Sequence, residues 1–373
     1  MAIVGLYAGI GGFELGFQAV GYEPLLLADS DEHCRSVLEA RFPNVRIHGD
    51  VAGITSLPED AQIVTAGFPC QNLSMAGDKK GIDGKKSGDV RHMFELLARG
   101  HRPTLAIENV YFMLHVQRGA AMTKLIEMIE SLEYSWAYRV VNTMAFGLPQ
   151  RRRRVFLVAS RDLDPRGVLL ADEAGASFAR VPNLDNPIGF YWTEGRTGVG
   201  TTVDGIPPLK IASTVGIPSM PAVLFPDGKV LTPGIEACER LQGFPAGWTD
   251  LDFGEHRSPR WRMVGNAVSV PAATWLARRI KEPGEPLDLP MRRLQAGDRW
   301  PTAAFGGRSE GRFAIDVSEF PIRKDVPSIE TFRDEDWKPL STRALRGFIA
   351  RAEQGGLRFP DGFLDALRAA RDA

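Results

Sequence analysis

Residues 3–13 read Ile3-Val4-Gly5-Leu6-Tyr7-Ala8-Gly9-Ile10-Gly11-Gly12-Phe13. The mostly apolar start of this stretch predicts a buried strand, and the residues from Phe13 to Val20 predict a helix. A glycine-rich turn between a strand and a helix lets the backbone approach a ligand closely and offers the N–H groups of the helix end to polar atoms. The stretch therefore predicts an α/β fold with a ligand site at the turn, although many such turns bind nothing.

Around this unit, strands and helices alternate through the first 160 residues as they do in repeated βαβ units. Strands are predicted at 3–7, 24–28, 45–48, 62–66 and 104–107, and helices at 13–20, 32–41, 93–99 and 120–132. Residues 134–142 and 154–159 are rich in β-formers and are expected to pair as an antiparallel hairpin in the sheet. The predicted fold class is α/β, with a doubly wound, Rossmann-like and mostly parallel sheet.

Composition restricts the class of protein. The 373 residues are 44% hydrophobic and 24% charged, which is ordinary for a globular protein, and no run of about 18 apolar residues predicts a membrane span. The three cysteines, Cys34, Cys70 and Cys238, are scattered and form neither a disulfide framework nor a metal-binding pattern. A net charge of -1 argues against nonspecific coating of nucleic acid, yet the arginine run at 151–154 allows a local basic groove. We expect a cytoplasmic protein without a metal ion.

Cys70 lies in the sequence Gly67-Phe68-Pro69-Cys70-Gln71, directly after the predicted strand 62–66. Ligands of open α/β sheets bind at the carboxyl ends of the strands, so the thiol is expected where a substrate binds. A lone cysteine in such a turn is a candidate nucleophile. The alternative is an inert buried thiol, since cysteine is among the residues most often buried.

Two acidic residues follow neighbouring strands at the same edge of the predicted sheet. Asp29 ends the second strand, about 20 residues after the glycine-rich turn, where an acidic residue binds ribose hydroxyls in nucleotide sites, and Asp50 follows the third strand. The turn lacks the full glycine pattern of dinucleotide sites, and no hydride-transfer residue follows it. S-adenosylmethionine, which has a ribose and an adenine but no phosphate, therefore fits better than a nicotinamide cofactor. For each acid alone, helix capping is the alternative.

Glu108 and the arginine run complete the candidate site. Glu108 follows the predicted strand 104–107, and a carboxyl group buried at that edge is expected to have a raised pKa and to donate or share a proton. Strand alternation then places Gln150, Arg152 and Arg154 on one face and the two other arginines on the opposite face. One set can face a substrate, although the alternative for any charge run is a solvated basic surface.

Taken together, these motifs resemble those of the DNA (cytosine-5)-methyltransferases, and the resemblance extends from Ile3 to about Lys281. The matching motifs, in the order of the family, are Tyr7-Ala8-Gly9-Ile10-Gly11-Gly12, Gly67-Phe68-Pro69-Cys70-Gln71 with Ser74, Glu108-Asn109-Val110, Gln150-x-Arg152-x-Arg154, Arg240-Leu241-Gln242-Gly243-Phe244-Pro245 and Gly265-Asn266-Ala267-Val268. Only the cysteine motif is specific by itself, but six motifs in order over most of the chain argue strongly against coincidence.

The resemblance implies a reaction and assigns roles in it. The Cys70 thiolate would add to C6 of a cytosine flipped out of duplex DNA, because C5 alone is a poor nucleophile. Glu108 would bind the N3 edge and the exocyclic amine, and Arg152 would bind the O2 side, with Gln150 and Arg154 as further members of the site. C5 would then accept the methyl group of S-adenosylmethionine, and loss of the C5 proton would release Cys70.

The resemblance also implies the cofactor site and the division into domains. S-adenosylmethionine would lie along Tyr7, Gly9, Gly11, Gly12, Asp29, Asp50, Phe68, Asn266 and Ala267. Residues 1–160 would form the catalytic domain, completed by 260–282, and residues 161–259 would form a small, β- and loop-rich target-recognition domain. Residues 283–373, a C-terminal extension, lie outside the resemblance. A helix is predicted at 361–371 near its end, and no role is predicted for the extension.

The implied activity is that of a DNA (cytosine-5-)-methyltransferase of a bacterial modification or restriction–modification system, acting on double-stranded DNA as a monomer. A separately acting restriction endonuclease or other defence component stays open as a partner, and the sequence does not disclose the recognition site. Two alternatives are kept. One is a tRNA cytosine-5 methyltransferase of the same fold. The other is a regulatory or DNA-binding paralogue that has lost activity, which the presence of every expected catalytic residue type disfavours.

Overall fold

The computed structural model describes residues 1–68, 89–175, 183–210, 220–254 and 259–373. The predicted nucleophile Cys70 lies outside the described residues. The strands are β1 (Ala2–Leu6), β2 (Glu23–Ala28), β3 (Arg46–His48), β4 (Ala61–Ala66), β5 (Thr104–Val110), β6 (Ser135–Asn142), β7 (Arg153–Ser160), β8 (Ile188–Phe190), β9 (Thr202–Val203), β10 (Ala222–Leu224), β11 (Val230–Thr232), β12 (Met291–Arg293), β13 (Ala303–Gly307), β14 (Gly311–Ile315) and β15 (Lys338–Pro339). The helices are α1 (Gly12–Gln18), α2 (Glu32–Arg41), α3 (Asp89–Arg99), α4 (Ala120–Ser131), α5 (Pro165–Leu169), α6 (Ile235–Leu241), α7 (Arg260–Asn266), α8 (Val270–Lys281), α9 (Thr342–Glu353) and α10 (Phe363–Asp372).

The first of two compact units comprises residues 1–142, 153–176 and 268–323. Its strands lie in the order β12-β14-β13-β6-β7-β5-β4-β1-β2-β3. The strands from β3 to β5 in this order are parallel, and β6 and β7 form the predicted antiparallel hairpin beside β5. The strands and helices predicted for the first 160 residues are therefore confirmed, with bounds that differ by a few residues, and so is the mostly parallel sheet that they form.

Three strands of the C-terminal extension widen this sheet. β13 pairs antiparallel with β6, where Phe305 lies opposite Ala137, and β14 and β12 continue the sheet beyond it. The buried side chain of Arg139 fastens the same region, because it donates hydrogen bonds to the carbonyl oxygens of Asp172 and Ser318. The first part of the extension is thus an integral part of the first unit.

Helix α8 packs closely against α1 in the first unit. A Cβ atom at Gly16 would lie 2.6 Å from the Cβ atom of Ala273 and 2.9 Å from the carbonyl oxygen of Val270. Real Cβ atoms essentially never come so close to other atoms, so glycine is required where the two helices meet. This contact holds α8 against α1, the helix that follows the glycine-rich turn.

The second unit comprises residues 143–152, 177–267 and 324–373. Its strands lie in the order β15-β11-β10-β8-β9 and pair antiparallel. The strands pack against the two C-terminal helices through a core of Ile188, Phe190, Ala222, Leu224, Val230, Leu345, Phe348, Ile349, Ala352, Phe363 and Leu367. The end of the chain, for which the sequence predicted one helix but not α9, therefore supplies one side of this core.

Among the described residues, no helix combines the length and the apolar character needed to cross a membrane.

Candidate active site

The glycine-rich turn after β1 adopts a backbone that few residue types tolerate. Gly9 and Gly11 have φ values of 57° and 84°, and Tyr7 has a φ of 56°, which is uncommon for a residue with a side chain. A Cβ atom at Gly11 would lie 2.5 Å from the ring of Phe42, whereas one at Gly9 would meet no atom of the other described residues within 4 Å, its two chain neighbours aside. The turn therefore requires a glycine at position 11 and leaves open space beside Gly9.

Asp29 holds this turn from the end of β2. Its two carboxylate oxygens accept hydrogen bonds from the backbone N–H groups of Gly9, at 2.8 Å, and of Asp31, at 2.9 Å. Burial raises the pKa of Asp29, and these two N–H groups oppose the rise. Because a carboxylate offers about four acceptor positions, Asp29 keeps the capacity to accept hydroxyl groups of a ligand as well.

Asp50 follows β3 and caps the short helical turn that comes next. Its Oδ1 atom accepts a hydrogen bond from the backbone N–H of Ala52 at 2.9 Å. The capping contact that the sequence left as an alternative is therefore present. A ligand contact through the same carboxylate stays a prediction.

A second buried carboxyl group, which sequence reasoning missed, lies close to the turn. Glu14, in the first turn of α1, is 0% exposed and accepts a hydrogen bond from Thr65 Oγ1 on β4 at 2.9 Å. Burial raises the pKa of Glu14 to about 7, and the nearby charge of Asp29 acts in the same direction. Gly5 makes room for it, because a Cβ atom there would collide with Glu14 Oε1. Its only signal in the sequence is one charged residue in an otherwise uncharged short helix.

Glu108 is buried near the carboxyl end of β5, where the sequence placed it. Its Oε1 atom lies 3.0 Å from Nε of Arg154, which the antiparallel pairing of β5 and β7 brings to the same end of the sheet. The two side chains are only 9% and 14% exposed. A cation so close stabilises the carboxylate form, so burial alone does not decide the charge of Glu108.

Asn109 links neighbouring strand ends. Its Nδ2 atom donates a hydrogen bond to the carbonyl oxygen of Phe68 at 2.9 Å. The buried ring of Phe68 packs edge-to-face against the ring of Tyr7, with centroids 6.0 Å apart. These contacts join, at one edge of the sheet, the chain that leads to Cys70, the chain that carries Glu108 and the start of the glycine-rich turn.

Gln150 and Arg152 lie in the second unit and bind backbone groups there. Arg152 is 1% exposed and donates hydrogen bonds to the carbonyl oxygens of Gly265, at 3.2 Å, and Ala267, at 2.9 Å. Gln150 is also buried and donates to the carbonyl oxygen of Leu241 at 2.8 Å. These bonds fasten together three motifs that are far apart in the sequence.

The predicted site residues are thus divided between the two units. The first unit holds Tyr7, Gly9, Gly11, Gly12, Asp29, Asp50, Phe68, Glu108 and Arg154, and the second holds Gln150, Arg152, the exposed Asn266 and the buried Ala267. The pairing of Glu108 with Arg154 is the contact that the sequence did not predict. It depends on the register of β7 against β5, for which no local pattern gives a signal.

Comparison with known proteins identifies the family. The model of the C-5 cytosine-specific DNA methylase family matches residues 1–182. The Type II methyltransferase M2.BsuMI of Bacillus subtilis is 40% identical, over 100% of this chain and 98% of that protein. The chain belongs to the C-5 cytosine-specific DNA methylase family.

Two further comparisons have lower sequence identity to this C-5 cytosine-specific DNA methylase family member. The Type II methyltransferase M.NgoBI of Neisseria gonorrhoeae is 28% identical, over 72% of this chain and 89% of that protein. The solved structure of the Dnmt2 methyltransferase of S. pombe has a TM-score of 0.56 and 14% identity, and the match covers 75% of this chain and 98% of that one. At this identity the likeness shows a common fold, which confirms the predicted methyltransferase architecture.

Proposed function

We propose that this C-5 cytosine-specific DNA methylase family member methylates C5 of cytosine in double-stranded DNA, at a specific sequence, with S-adenosylmethionine as the methyl donor. The observation that carries the proposal is the Glu108–Arg154 pair, whose side chains are 9% and 14% exposed, at the same sheet edge as the glycine-rich turn. It occurs in a chain that matches a Type II methyltransferase over its full length. The matching family model is that of DNA methylases, which supports DNA rather than the tRNA alternative.

The proposed chemistry begins at Cys70. Its thiolate attacks C6 of a cytosine that has been flipped out of the duplex, and the ring becomes an enamine-like system with electron density at C5. C5 then takes the methyl group. A base removes the C5 proton, the electron pair of that C–H bond restores the C5–C6 double bond, and the C6–S bond breaks to release the thiolate.

Glu108 and Arg154 act on the base during this addition. The Glu108 carboxyl group would bind the N3 edge and the exocyclic amine, and the Arg154 guanidinium, 3.0 Å away, would orient it and face the O2 side. The resemblance assigns the O2 contact to Arg152. The contacts favour Arg154 for the O2 side of the base, because Arg152 donates its hydrogen bonds to carbonyl oxygens in the second unit. We therefore assign Arg152 and Gln150 to the positioning of the motif that carries Arg154.

The residues around the glycine-rich turn fit S-adenosylmethionine. The open space beside Gly9 admits a ligand against the backbone, and the acceptor oxygens of Asp29 suit ribose hydroxyl groups but would repel a phosphate. When bound, S-adenosylmethionine supplies a methyl group on a positively charged sulfur atom. Further contacts are proposed for Tyr7, Gly11, Gly12, Asp50, Phe68, Asn266 and Ala267.

The segments of the chain receive proposed roles on the same basis. We assign catalysis to residues 1–160 with 260–282 and target recognition to residues 161–259. The extension 283–373 supplies strands to the sheet of the first unit and helices to the core of the second, which supports a structural role in both.

The similar proteins named as Type II methyltransferases support a role in bacterial DNA modification. We propose that the protein acts in the cytoplasm as a monomer. A cognate restriction endonuclease, or another defence component, would act separately on the same sequence. The recognition sequence itself depends on side chains that read base edges, and bisulfite sequencing of DNA from cells that express the protein would reveal it together with the product.

DNA that contains 5-fluorocytosine at the target position tests the mechanism. Fluorine at C5 does not leave as a proton does, so the adduct at C6 should persist after methyl transfer. We expect a covalent complex that survives denaturing electrophoresis with the wild-type protein and none with Cys70→Ala. The matched controls Cys34→Ala and Cys238→Ala change buried cysteines elsewhere and should still form the complex. Methylation of tRNA alone, or an adduct with Cys70→Ala, would contradict the proposal.

A further inference from the structure

The turn that follows Glu108 carries an exposed aromatic ring beside the proposed active site. Phe112, four residues after Glu108, is 64% exposed, more than any other large apolar side chain among the described residues. A single exposed apolar residue is ordinary on a protein surface, so the exposure by itself carries no argument. What distinguishes Phe112 is how firmly the chain around it is held.

The neighbours of Phe112 on both sides are fixed within the first unit. The ring of Tyr111 lies 4.0 Å from the guanidinium of Arg153 in a cation–π contact. Met113 and Leu114 are buried in the core, at 0% and 2% exposure. The short 3-10 helix Tyr111–Leu114 therefore turns its other apolar residues inward and holds the Phe112 ring in solvent.

The backbone just beyond this helix is strained. Gln117 and Arg118 lie in the left-handed region, with φ of 48° and 58°, and Gly119 follows at 90°. This conformation is costly for residues with a side chain, and such residues cluster at ligand sites. Gly119 packs closely against Trp300, because a Cβ atom at Gly119 would lie 2.7 Å from the Trp300 side chain. Trp300 is held in turn by the hydrogen bond that its Nε1 atom donates to Thr123 Oγ1 at 3.0 Å.

The surface of the same turn complements nucleic acid. His115, Arg118 and Lys124 are exposed, and the sequence 109–126 contains no aspartate or glutamate. Phosphates attract cations, and bases and sugars pack on aromatic rings. Since the turn follows directly after Glu108, it lies where DNA that flanks a flipped cytosine is expected.

We propose that residues 111–119 form a DNA-contacting ledge, in which Phe112 packs against the duplex next to the target cytosine and Arg118 binds a phosphate. This inference rests on the proposed function, because the ligand proposed for the ledge is double-stranded DNA. Trp300 of the C-terminal extension packs against Gly119, the residue that follows Arg118. The extension thereby supports DNA binding by the first unit.

The first test compares Phe112→Ala with Met291→Ala. Met291 is a matched control because it is 56% exposed on β12, the strand at the opposite edge of the same sheet from β3. With unmethylated plasmid DNA and saturating S-adenosylmethionine, Phe112→Ala should raise the KM for DNA about tenfold, the effect of losing one aromatic contact with a base. The kcat should stay within about twofold of wild type, as for a contact made equally in the ground state and the transition state. Phe112→Tyr should restore most of the loss, and Met291→Ala should change neither constant.

The second test measures how DNA affinity depends on salt for Arg118→Gln. Loss of one phosphate contact should reduce the slope of log affinity against log salt concentration by about 0.9. Arg293→Gln, which changes an exposed arginine on β12, should leave the slope unchanged. Melting temperature and cofactor binding, measured for every variant, show whether the first unit is folded.

The outcomes separate this inference from the proposed function. If the wild-type protein neither methylated DNA nor formed the 5-fluorocytosine adduct, the proposed function itself would be wrong. An active wild-type protein whose KM and salt slope do not change in Phe112→Ala and Arg118→Gln would overturn the ledge alone. A rise in KM that only follows a loss of folded protein would also overturn it, because the ledge would then be structural.

Discussion

Two of the described glutamates are 0% exposed, one in each unit, and their surroundings differ. Glu14, in the first unit, accepts a hydrogen bond from Thr65, and its Oε2 atom has no hydrogen-bond partner among the described residues. Glu239, in the second unit, accepts a hydrogen bond from the N–H of Thr249 at 2.8 Å and lies 3.2 Å from Arg260 Nη2. Burial of a charge is tolerated when the charge is paired and hydrogen-bonded. Glu239 meets that condition, and Glu14, beside the glycine-rich turn, does not.

Two arginines that are two positions apart in the sequence also differ in the groups that they contact. Arg154, in the first unit, pairs with the carboxylate of Glu108, which is a group with chemistry of its own. Arg152, in the second unit, binds the carbonyl oxygens of Gly265 and Ala267. In the first unit, Glu14, Glu108 and Arg154 lie near the ligand edge of the sheet. The charged side chains of the second unit, like Arg139 of the first, instead fasten distant segments to one another.

The largest expected effect follows from the substitution Glu108→Gln. If the carboxyl group binds the base and shares its proton, turnover should fall by about 10² to 10⁴, the usual contribution of a positioned acid or base. Binding of S-adenosylmethionine should be largely kept, because Glu108 is not among the proposed cofactor contacts. Single-turnover methyl transfer and cofactor titration measure the two quantities.

Glu130→Gln is the matched control for this prediction. Glu130 also forms an ion pair in the first unit, 2.7 Å from Arg312, but away from the carboxyl edge of the sheet. Its replacement should leave turnover close to that of wild type. Unchanged turnover in Glu108→Gln would take Glu108 out of the chemistry, and an equal loss in both variants would show that any broken ion pair in the unit has this effect.

The next effect tests whether the end of the chain builds the second unit. Phe348 on α9 is 1% exposed, and its ring centroid lies 4.8 Å from that of Phe190 on β8. Phe348→Ala should lower the free energy of unfolding by about 3–5 kcal/mol, as for other buried aromatic residues. Denaturant unfolding followed by tryptophan fluorescence would measure the change. Arg343→Ala changes an exposed residue of the same helix and should lower the free energy of unfolding only slightly. An equally small decrease for Phe348→Ala would show that the second unit does not need this helix.

The first unit was largely predictable from the sequence, and the reason is local. Most strands of residues 1–160 are apolar runs, and most connect to the next strand through a helix, so the order and type of these elements follow from the pattern. The position of Glu108 at a strand end follows in the same way. Its contact with Arg154 does not, because the register between β5 and β7 is set by pairing across the sheet rather than by neighbouring residues.

The extension was not predictable, because its partners are remote in the sequence. Phe305 lies opposite Ala137, and Lys338 lies opposite Thr232, and neither pairing leaves a local signal. Helix α9 is a different case. Its buried residues recur at the three- and four-residue spacing of an amphipathic helix, so the signal was present and was missed.

A smaller effect should separate the two arginines. Arg154→Met removes the cation beside Glu108 and should lower the turnover of the folded protein by about tenfold or more. It should also lower the free energy of unfolding, because a nearly buried carboxylate then loses the cation beside it. Arg152→Met leaves buried carbonyl oxygens without their donors and should lower the free energy of unfolding by about 2 kcal/mol. Turnover and denaturant unfolding of both variants give the comparison. A full loss of turnover in Arg152→Met with unchanged unfolding would return the O2 contact to Arg152, as the resemblance implies.

The last expected effect is a pH dependence of stability that comes from Glu14. Burial raises the pKa of Glu14 from 4.5 to about 7. Below the lower value Glu14 is protonated in both the folded and the unfolded chain and costs nothing. As the pH rises towards the folded pKa, the unfolded chain releases the proton and the folded chain retains it, so stability falls. The glutamine of the variant Glu14→Gln has no proton to lose. The free energy of unfolding of this variant, relative to that of the wild type, should therefore rise by on the order of 2 kcal/mol between about pH 5 and pH 8.

The control for Glu14 is the other buried glutamate. Glu239→Gln breaks a satisfied network with Thr249 and Arg260, so it should destabilise the second unit rather than stabilise it at pH 8. Denaturant unfolding of both variants at several pH values would measure this. If the free energy of unfolding of Glu14→Gln did not rise relative to that of the wild type as the pH rose, Glu14 would have a partner that neutralises its charge. The two buried glutamates would then both be paired. If it did gain, the first unit would tolerate an unpaired buried acid next to the turn where the methyl donor is proposed to bind. Binding of the positively charged sulfur would then favour the ionised form of Glu14, so cofactor affinity in the wild type, but not in Glu14→Gln, should rise through the same pH range.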